Sequence, residues 1–179
     1  MSNAAPTKVV TGKVRLSYVN IFTPRVGPSG GDPKYSVCVL IPKSDKATVD
    51  KVKAAVEAAK QAGTATFGGK VPAGVKSPLR DGDTEREGPE YKGHYFINCN
   101  SKQRPNVVDA AVNPILSQDE VYSGCYGRVS INFYAYNQSG NKGVGAGLQN
   151  VQKIADGDPL SGRSRAEDDF SAVDEDFLS

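Results

Sequence analysis

Apolar and polar positions alternate with a period of two in several separate stretches of this chain. From Val9 to Tyr18, Val10, Val14, Leu16 and Tyr18 fall on one side and Thr11, Lys13, Arg15 and Ser17 on the other, as in a half-buried strand. Gly and Pro crowd Thr23 to Pro33 and predict a loop, after which Tyr35, Val37, Val39 and Ile41 resume the alternation up to Pro42. His94 to Cys99 predicts a third strand, with Tyr95, Ile97 and Cys99 toward a core and His94, Phe96 and Asn98 away from it. The clearest strand runs from Val121 to Tyr136. Val129, Ile131, Phe133 and Ala135 form one face there, and Arg128, Ser130, Asn132, Tyr134 and Tyr136 the other. Asn137 to Lys142, with its Ser139-Gly140 pair, predicts a hairpin turn into a last strand from Gly143 to about Ile154. Gly143, Gly145 and Gly147 at alternate positions mark a bend or a close approach to the backbone.

One segment follows a helical period instead. After Ser44, a candidate N-cap, Val49, Val52, Val56 and Ala59 recur at three- and four-residue spacing while Lys46, Asp50, Lys53, Glu57 and Lys60 stay off that stripe, and Gly63 ends the run. Gly63 to Lys92 shows no sustained period and predicts a long loop. Five strands, one amphipathic helix after the second strand and a long loop predict a mainly β fold, a five-stranded OB-like barrel. The expected divisions are an OB-like domain over residues 1–155, a flexible linker over 156–165 and a disordered acidic tail over 166–179.

Charge sharpens that division. The tail holds six of the twenty acidic residues and no lysine or arginine, leaving twenty-two basic against fourteen acidic residues in Met1 to Arg165. A body of formal charge +8 therefore carries a tail of −6. The body attracts a polyanion, nucleic acid first among them. Apolar anchors are interleaved with the acids of the tail, so Asp174, Glu175, Asp176, Phe177 and Leu178 form a candidate partner-binding segment.

Catalytic and metal chemistry find little support. Cys38, Cys99 and Cys125 are widely spaced, and His94 is the single histidine, so neither a disulfide framework nor a metal site is expected. Gly27-Pro28-Ser29-Gly30-Gly31 matches a nucleophile elbow in letters but leads through Asp32 and Pro33 into a strand, where an elbow needs a helix. No stretch has the length of a membrane span or the apolar core of a signal peptide, and a cytoplasmic protein without cofactors is expected. What remains is a basic, aromatic face: Lys13, Arg15, Lys34, Phe96, Arg128, Tyr134 and Tyr136 project from the strands, and Lys102 and Arg104 join them from loops. Cations that track a backbone beside rings on which any base can stack suit single-stranded nucleic acid.

Several stretches carry a resemblance. Gly124-Cys125, Asn132-Phe133-Tyr134-Ala135-Tyr136, Lys142-Gly143-Val144, Gly147-Leu148-Gln149-Asn150-Val151-Gln152-Lys153 and Asp156-Gly157-Asp158-Pro159-Leu160 resemble a family of tailed-phage single-stranded DNA-binding proteins. The resemblance implies an OB-type barrel that coats single-stranded DNA in phage replication and recombination, in the host cytoplasm and without metal or cofactor. It carries Arg128, Tyr134 and Tyr136 onto the DNA-binding face. The tail is similar to acidic tips that recruit replication or recombination proteins, although in many of those the aromatic residue is last, whereas Leu178 and Ser179 follow Phe177 here. Duplex DNA is a further ligand and self-association a further property to be tested. Two rival readings are a general coating protein that also takes duplex DNA or RNA, and a phage structural or assembly protein.

Overall fold

The computed structural model describes residues 6–27 and 30–160. Ser29 and the expected tail site at Asp174, Glu175, Asp176, Phe177 and Leu178 lie outside the described residues. In chain order the elements are β1 (Lys8–Val10), β2 (Val14–Arg25), β3 (Lys34–Pro42), helix α1 (Lys46–Ala62), β4 (Arg80–Asp81), helix α2 (Gly82–Glu85), β5 (His94–Ser101), β6 (Asn106–Val108), β7 (Tyr126–Gln138) and β8 (Asn141–Ala155). Pairing runs β2 to β3, β3 to β5, β5 to β8, β8 to β7 and β7 back to β2, which closes a ring of five strands. These are the five strands expected from the alternation, and the closed ring is an OB-type barrel. The extra short strands are attachments: β1 pairs with β7, β6 with β8 and β4 with β5.

Inside the ring, Val14, Leu16, Val37, Val39, Ile97, Val129, Ile131 and Phe133 are almost wholly buried. Helix α1 adds Val49, Val52, Val56 and Ala59 to the same core, the stripe that its spacing predicts. Full burial of Val52 alone is worth about 1.5–3 kcal/mol. The helix is capped by Asp45 rather than Ser44. The Asp45 carboxylate accepts from the Thr48 N–H at 3.2 Å and from the Thr48 hydroxyl at 2.7 Å, a pair of bonds that Ser44 is not placed to make.

The first strand departs most from its pattern. Val9 pairs with Ile131 but Val14 with Gly127, so one extra residue is inserted around Thr11 to Lys13. Such a bulge flips the alternation. Val9 and Val14 therefore face the core, and Val10 is 44% exposed. Thr11 fills the bulge: it is fully buried, and its hydroxyl accepts from the Val129 N–H at 3.1 Å. A second shift between Ser17 and Asn20 centres on Tyr18, whose φ of 47° turns its side chain into solvent. The expected core positions Val10 and Tyr18 are thus both corrected by bulges, and β2 continues to Arg25 through the start of the expected loop.

The long loop contains β4, α2 and a short 3-10 turn at Pro89–Tyr91. Lys43 clamps this region, its ammonium 2.7 Å from both Asp81 and Asp83. The lysine hydrogen bonds hold both carboxyls below the usual carboxylate range and push the ammonium above its own. At the other end, Asp156 to Leu160 is not a free linker. Tyr122 Oη donates to the Gly157 carbonyl at 3.0 Å, Arg15 donates to the Asp158 carbonyl at 2.7 Å, and the Leu160 N–H donates to Ser123 at 2.9 Å. Gly124, at φ 117°, lies so close to the Asp158 carbonyl that a side chain there would overlap it.

Candidate nucleic-acid interface

Cross-strand register puts Tyr134 opposite Gly145 and Tyr136 opposite Gly143. A Cβ on Gly145 would stand 2.6 Å from Cζ of Tyr134, and one on Gly143 2.6 Å from Oη of Tyr136. Without those carbons, each ring lies across the neighbouring strand instead of standing out into water. Rings fixed this way have less rotamer freedom left to lose when a base stacks on them. Tyr134 remains 43% exposed.

Both rings line a cavity of about 650 Å³ with Lys76, Arg80, Asn98 and Asn100. Asn100 also lines an adjoining cavity of about 570 Å³, with Asn20, Arg25, Lys34 and Ser36. The two are lobes of one groove that crosses the outer faces of β3 and β5, the second and third strands of the ring. It lies between residues 26–27 and 30–33, which follow the first ring strand and precede the second, and the β7–β8 hairpin, which joins the last two. OB barrels take oligonucleotides on this face and between these loops.

The groove is basic at its edges and polar along its floor. Arg80 is partly neutralised, its guanidinium 2.7 Å from Glu85, and that hydrogen bond holds the Glu85 carboxyl below its usual range. Lys34 lines the second lobe. Lys102 stands beside that lobe, 3.4 Å from Asp32. Arg104 is exposed and packs its guanidinium 5.9 Å from the Phe22 ring.

Four expected residues have other surroundings. Phe96 does lie on the outer side of β5, but it is only 1% exposed, within a second apolar cluster of Cys38, Leu40 and Tyr91 against which Leu160 packs. Tyr91 meets it edge-on at 5.3 Å and the Arg80 and Arg86 guanidiniums cover it at 5.5 and 4.9 Å, so no base reaches this ring. The same burial pushes the Cys38 thiol up to about 12, which keeps it protonated. Arg15 spends its guanidinium on the Gly124 and Asp158 carbonyls, at 3.1 and 2.7 Å. Lys13 stands 4.9 Å over the Tyr126 ring, beside Arg15 and away from the groove. Arg128 projects from the predicted face of β7, but six residues from Tyr134, about 20 Å along a strand. Its Nε donates to the Thr11 carbonyl at 2.9 Å.

Comparison with known proteins bears directly on this geometry. A family model described as the single-stranded DNA-binding protein of Enterobacter phage Enc34 matches residues 7–178. The chain belongs to this family. Protein p50 of Acyrthosiphon pisum secondary endosymbiont phage 1 is 33% identical over 182 residues, 96% of this chain and 98% of that protein. The solved complex of the Enc34 protein with single-stranded DNA is 27% identical, with a TM-score of 0.78 over 87% of this chain and 90% of that one. The single-stranded DNA-binding protein gp2.5 of bacteriophage T7, 17% identical with a TM-score of 0.62 over 94% and 95% of the two chains, shares the fold.

In this Enc34-family chain, the groove residues that sequence reasoning missed are Asn20, Arg25, Ser36, Lys76, Arg80, Asn98 and Asn100. A usable signal was present on β5, where Asn98 and Asn100 are polar at two-residue spacing on the side facing away from Ile97 and Cys99. The stretch from Asp156 to Leu160, quoted above for its resemblance, is the segment pinned by Arg15 and Tyr122.

Proposed function

We propose that this protein binds single-stranded DNA without sequence preference, coating it during phage replication and recombination in the host cytoplasm. The observation that carries this reading is the pair of tyrosine rings laid over Gly143 and Gly145 at the edge of a polar groove with cationic rims. Family membership and the Enc34 complex support the same ligand. Ring stacking accepts every base, Asn98 and Asn100 offer hydrogen bonds to base edges, and Lys34, Lys76, Arg25 and Arg80 neutralise phosphates. No chemical step belongs to this role. The barrel with its pinned segment, up to Leu160, is the DNA-binding unit, and the acidic residues beyond it serve recruitment of replication or recombination proteins.

Fluorescence anisotropy with oligonucleotides of equal length in single-stranded DNA, duplex DNA and RNA tests this. Single-stranded DNA should bind tightest, with equal affinity for mixed sequences of different composition. Equal affinity for all three ligands would replace the reading with a general coating protein, and a preference for one sequence would point to base-edge readout.

A further inference from the structure

Among the described residues only two aromatic side chains are exposed, Tyr134 at 43% and Tyr18 at 67%. Tyr134 already belongs to the groove, whereas Tyr18 stands just past its other end and lines neither lobe. We propose that Tyr18 is a third stacking platform, on which a base of the single strand rests as it leaves the second lobe. The proposal rests on the reading of the groove as a single-stranded DNA site and extends that site across the first ring strand.

The backbone forces this ring outward. Ser17 pairs with Cys38 and Asn20 with Ser36, so two residues of β2 stand against Val37 alone. Val19 packs against the core, and Tyr18 is the residue left over. Its φ of 47° is left-handed, a conformation in which a bulky side chain is rare. Hydrogen bonds hold the kink on both sides: Asn20 Nδ2 donates to the Tyr18 carbonyl at 3.1 Å, and the Val19 N–H donates to Ser123 Oγ at 3.2 Å. Asparagine or glycine would hold this backbone with less strain, and a ring so exposed buries too little surface to offset the difference. Strain of this kind collects where a side chain is needed for binding.

Position points the same way. Asn20 and Ser36 line the second lobe, and the Asn20 amide that holds the Tyr18 carbonyl also reaches Ser36 Oγ at 3.4 Å. Tyr18 is thus two residues beyond the lobe along β2. Tyr91 marks the outer side there: burial pushes its hydroxyl up to about 12, with Cys38 and Tyr18 adding to the rise. Guanidiniums cover the Phe96 and Tyr126 rings, but among the described residues no cation or second ring covers Tyr18. From β8, under the Tyr134 ring, to β2 is three strand spacings, about 14 Å. At about 3.4 Å per nucleotide that is about four nucleotides, the lower end of OB-fold site sizes. Rings at the two ends therefore bracket the stretch of strand that Asn98, Asn100 and Ser36 face.

The test uses the full chain with an oligo(dT) of about twelve nucleotides carrying 5-iododeoxyuridine, irradiated and digested, with adducts assigned to single residues by mass spectrometry. Adducts are expected on Tyr18 as well as on Tyr134 or Tyr136. In anisotropy titrations Tyr18→Asn, which suits the left-handed backbone, should weaken binding about tenfold at low and high salt alike, with a melting temperature no lower than that of the unaltered protein. Tyr18→Phe keeps the ring and should bind as the unaltered protein does. Normal binding by Tyr18→Asn beside impaired binding by Tyr134→Ala, or adducts on Tyr134 with none on Tyr18, would overturn the platform and leave the groove standing. Normal binding by both variants would remove the groove reading as well. Tyr18→Phe as weak as Tyr18→Asn would assign the effect to the hydroxyl and refute stacking.

Discussion

The groove and a hollow lined by Val10, Val108 and Val112 draw on opposite ends of one hairpin. Near the turn, β7 and β8 carry Tyr134 and Tyr136 over Gly145 and Gly143; toward the other end the same ladder carries Arg128 and Ser130 beside Asn150 and Gln152. The inward residues, from Val129 to Phe133, are alike throughout. The difference lies wholly in the outward positions: rings bedded on glycine and flanked by amides at one end, and a guanidinium beside exposed valines at the other. One ladder thus supports two surfaces of different chemistry, because the face that packs the core leaves the opposite face free to vary.

The largest effect should come from removing the rings. Tyr134→Ala and Tyr136→Ala should each weaken oligo(dT) binding by roughly 5- to 100-fold, with the loss persisting at high salt and melting temperatures little changed. Val10→Glu, in the same anisotropy titrations, should have no effect. Equal losses from Val10→Glu and Tyr134→Ala would erase the distinction between the two surfaces.

Next in size is the bedding under the rings. Gly145→Val forces the Tyr134 ring off its strand and should weaken binding about tenfold, whereas Asn150→Val, at the far end of β8, should leave affinity unchanged. Unaltered binding by Gly145→Val would show that the ring works equally well when displaced.

Two cations separate binding from stability. Lys34→Ala should reduce the salt slope of binding by about 0.7 and leave melting unchanged. Arg15→Ala should do the reverse, keeping the slope and costing about 1.5–3 kcal/mol of stability through its lost bonds to two carbonyls. Denaturant melts and titrations at several salt concentrations measure both.

The smallest effect concerns Glu85. Glu85→Gln frees Arg80 for phosphate and should tighten binding about twofold at low salt, a gain that salt screens away. Because Arg80 depresses the Glu85 pKa, the carboxylate is charged at and above the ordinary glutamate range. The support it gives is lost only as pH falls through its lowered value, so the Glu85→Gln gain should be constant between about pH 6 and 8.

Face was legible in the sequence, and position along the strand was not. Alternation placed Val129, Ile131 and Phe133 inward and Tyr134 and Tyr136 outward, since one face of β7 is core. It also placed Arg128 with the tyrosines, because a period of two records the side of a strand and nothing about distance along it. Bulges defeated the reading at Val10 and Tyr18: each inserted residue reverses the faces, and although Gly12 stands at the first, no glycine or proline marks the second. Phe96 failed for another reason. The outer side of β3 and β5 carries a second apolar layer closed by Tyr91 and Leu160, both distant in sequence from Cys38 and Leu40. Tyr91 lies only five residues before Phe96, but a period of two carries no trace of a layer that also needs Cys38, Leu40 and Leu160.

The ring of strands is closed between β5 and β8 by a single residue pair, Asn100 opposite Gly147, whereas β3 and β5 pair along eight residues. Thermal opening should begin at this seam, and amide hydrogens near it should exchange faster than those between β3 and β5. Asn100 also belongs to both lobes of the groove, so an oligonucleotide spanning them lies across the seam. A ligand that binds only the closed form makes opening rarer in proportion to its occupancy. Exchange around Asn100 and Gly147 would then slow with ligand concentration, and the bound DNA would act as a staple on the barrel that holds it.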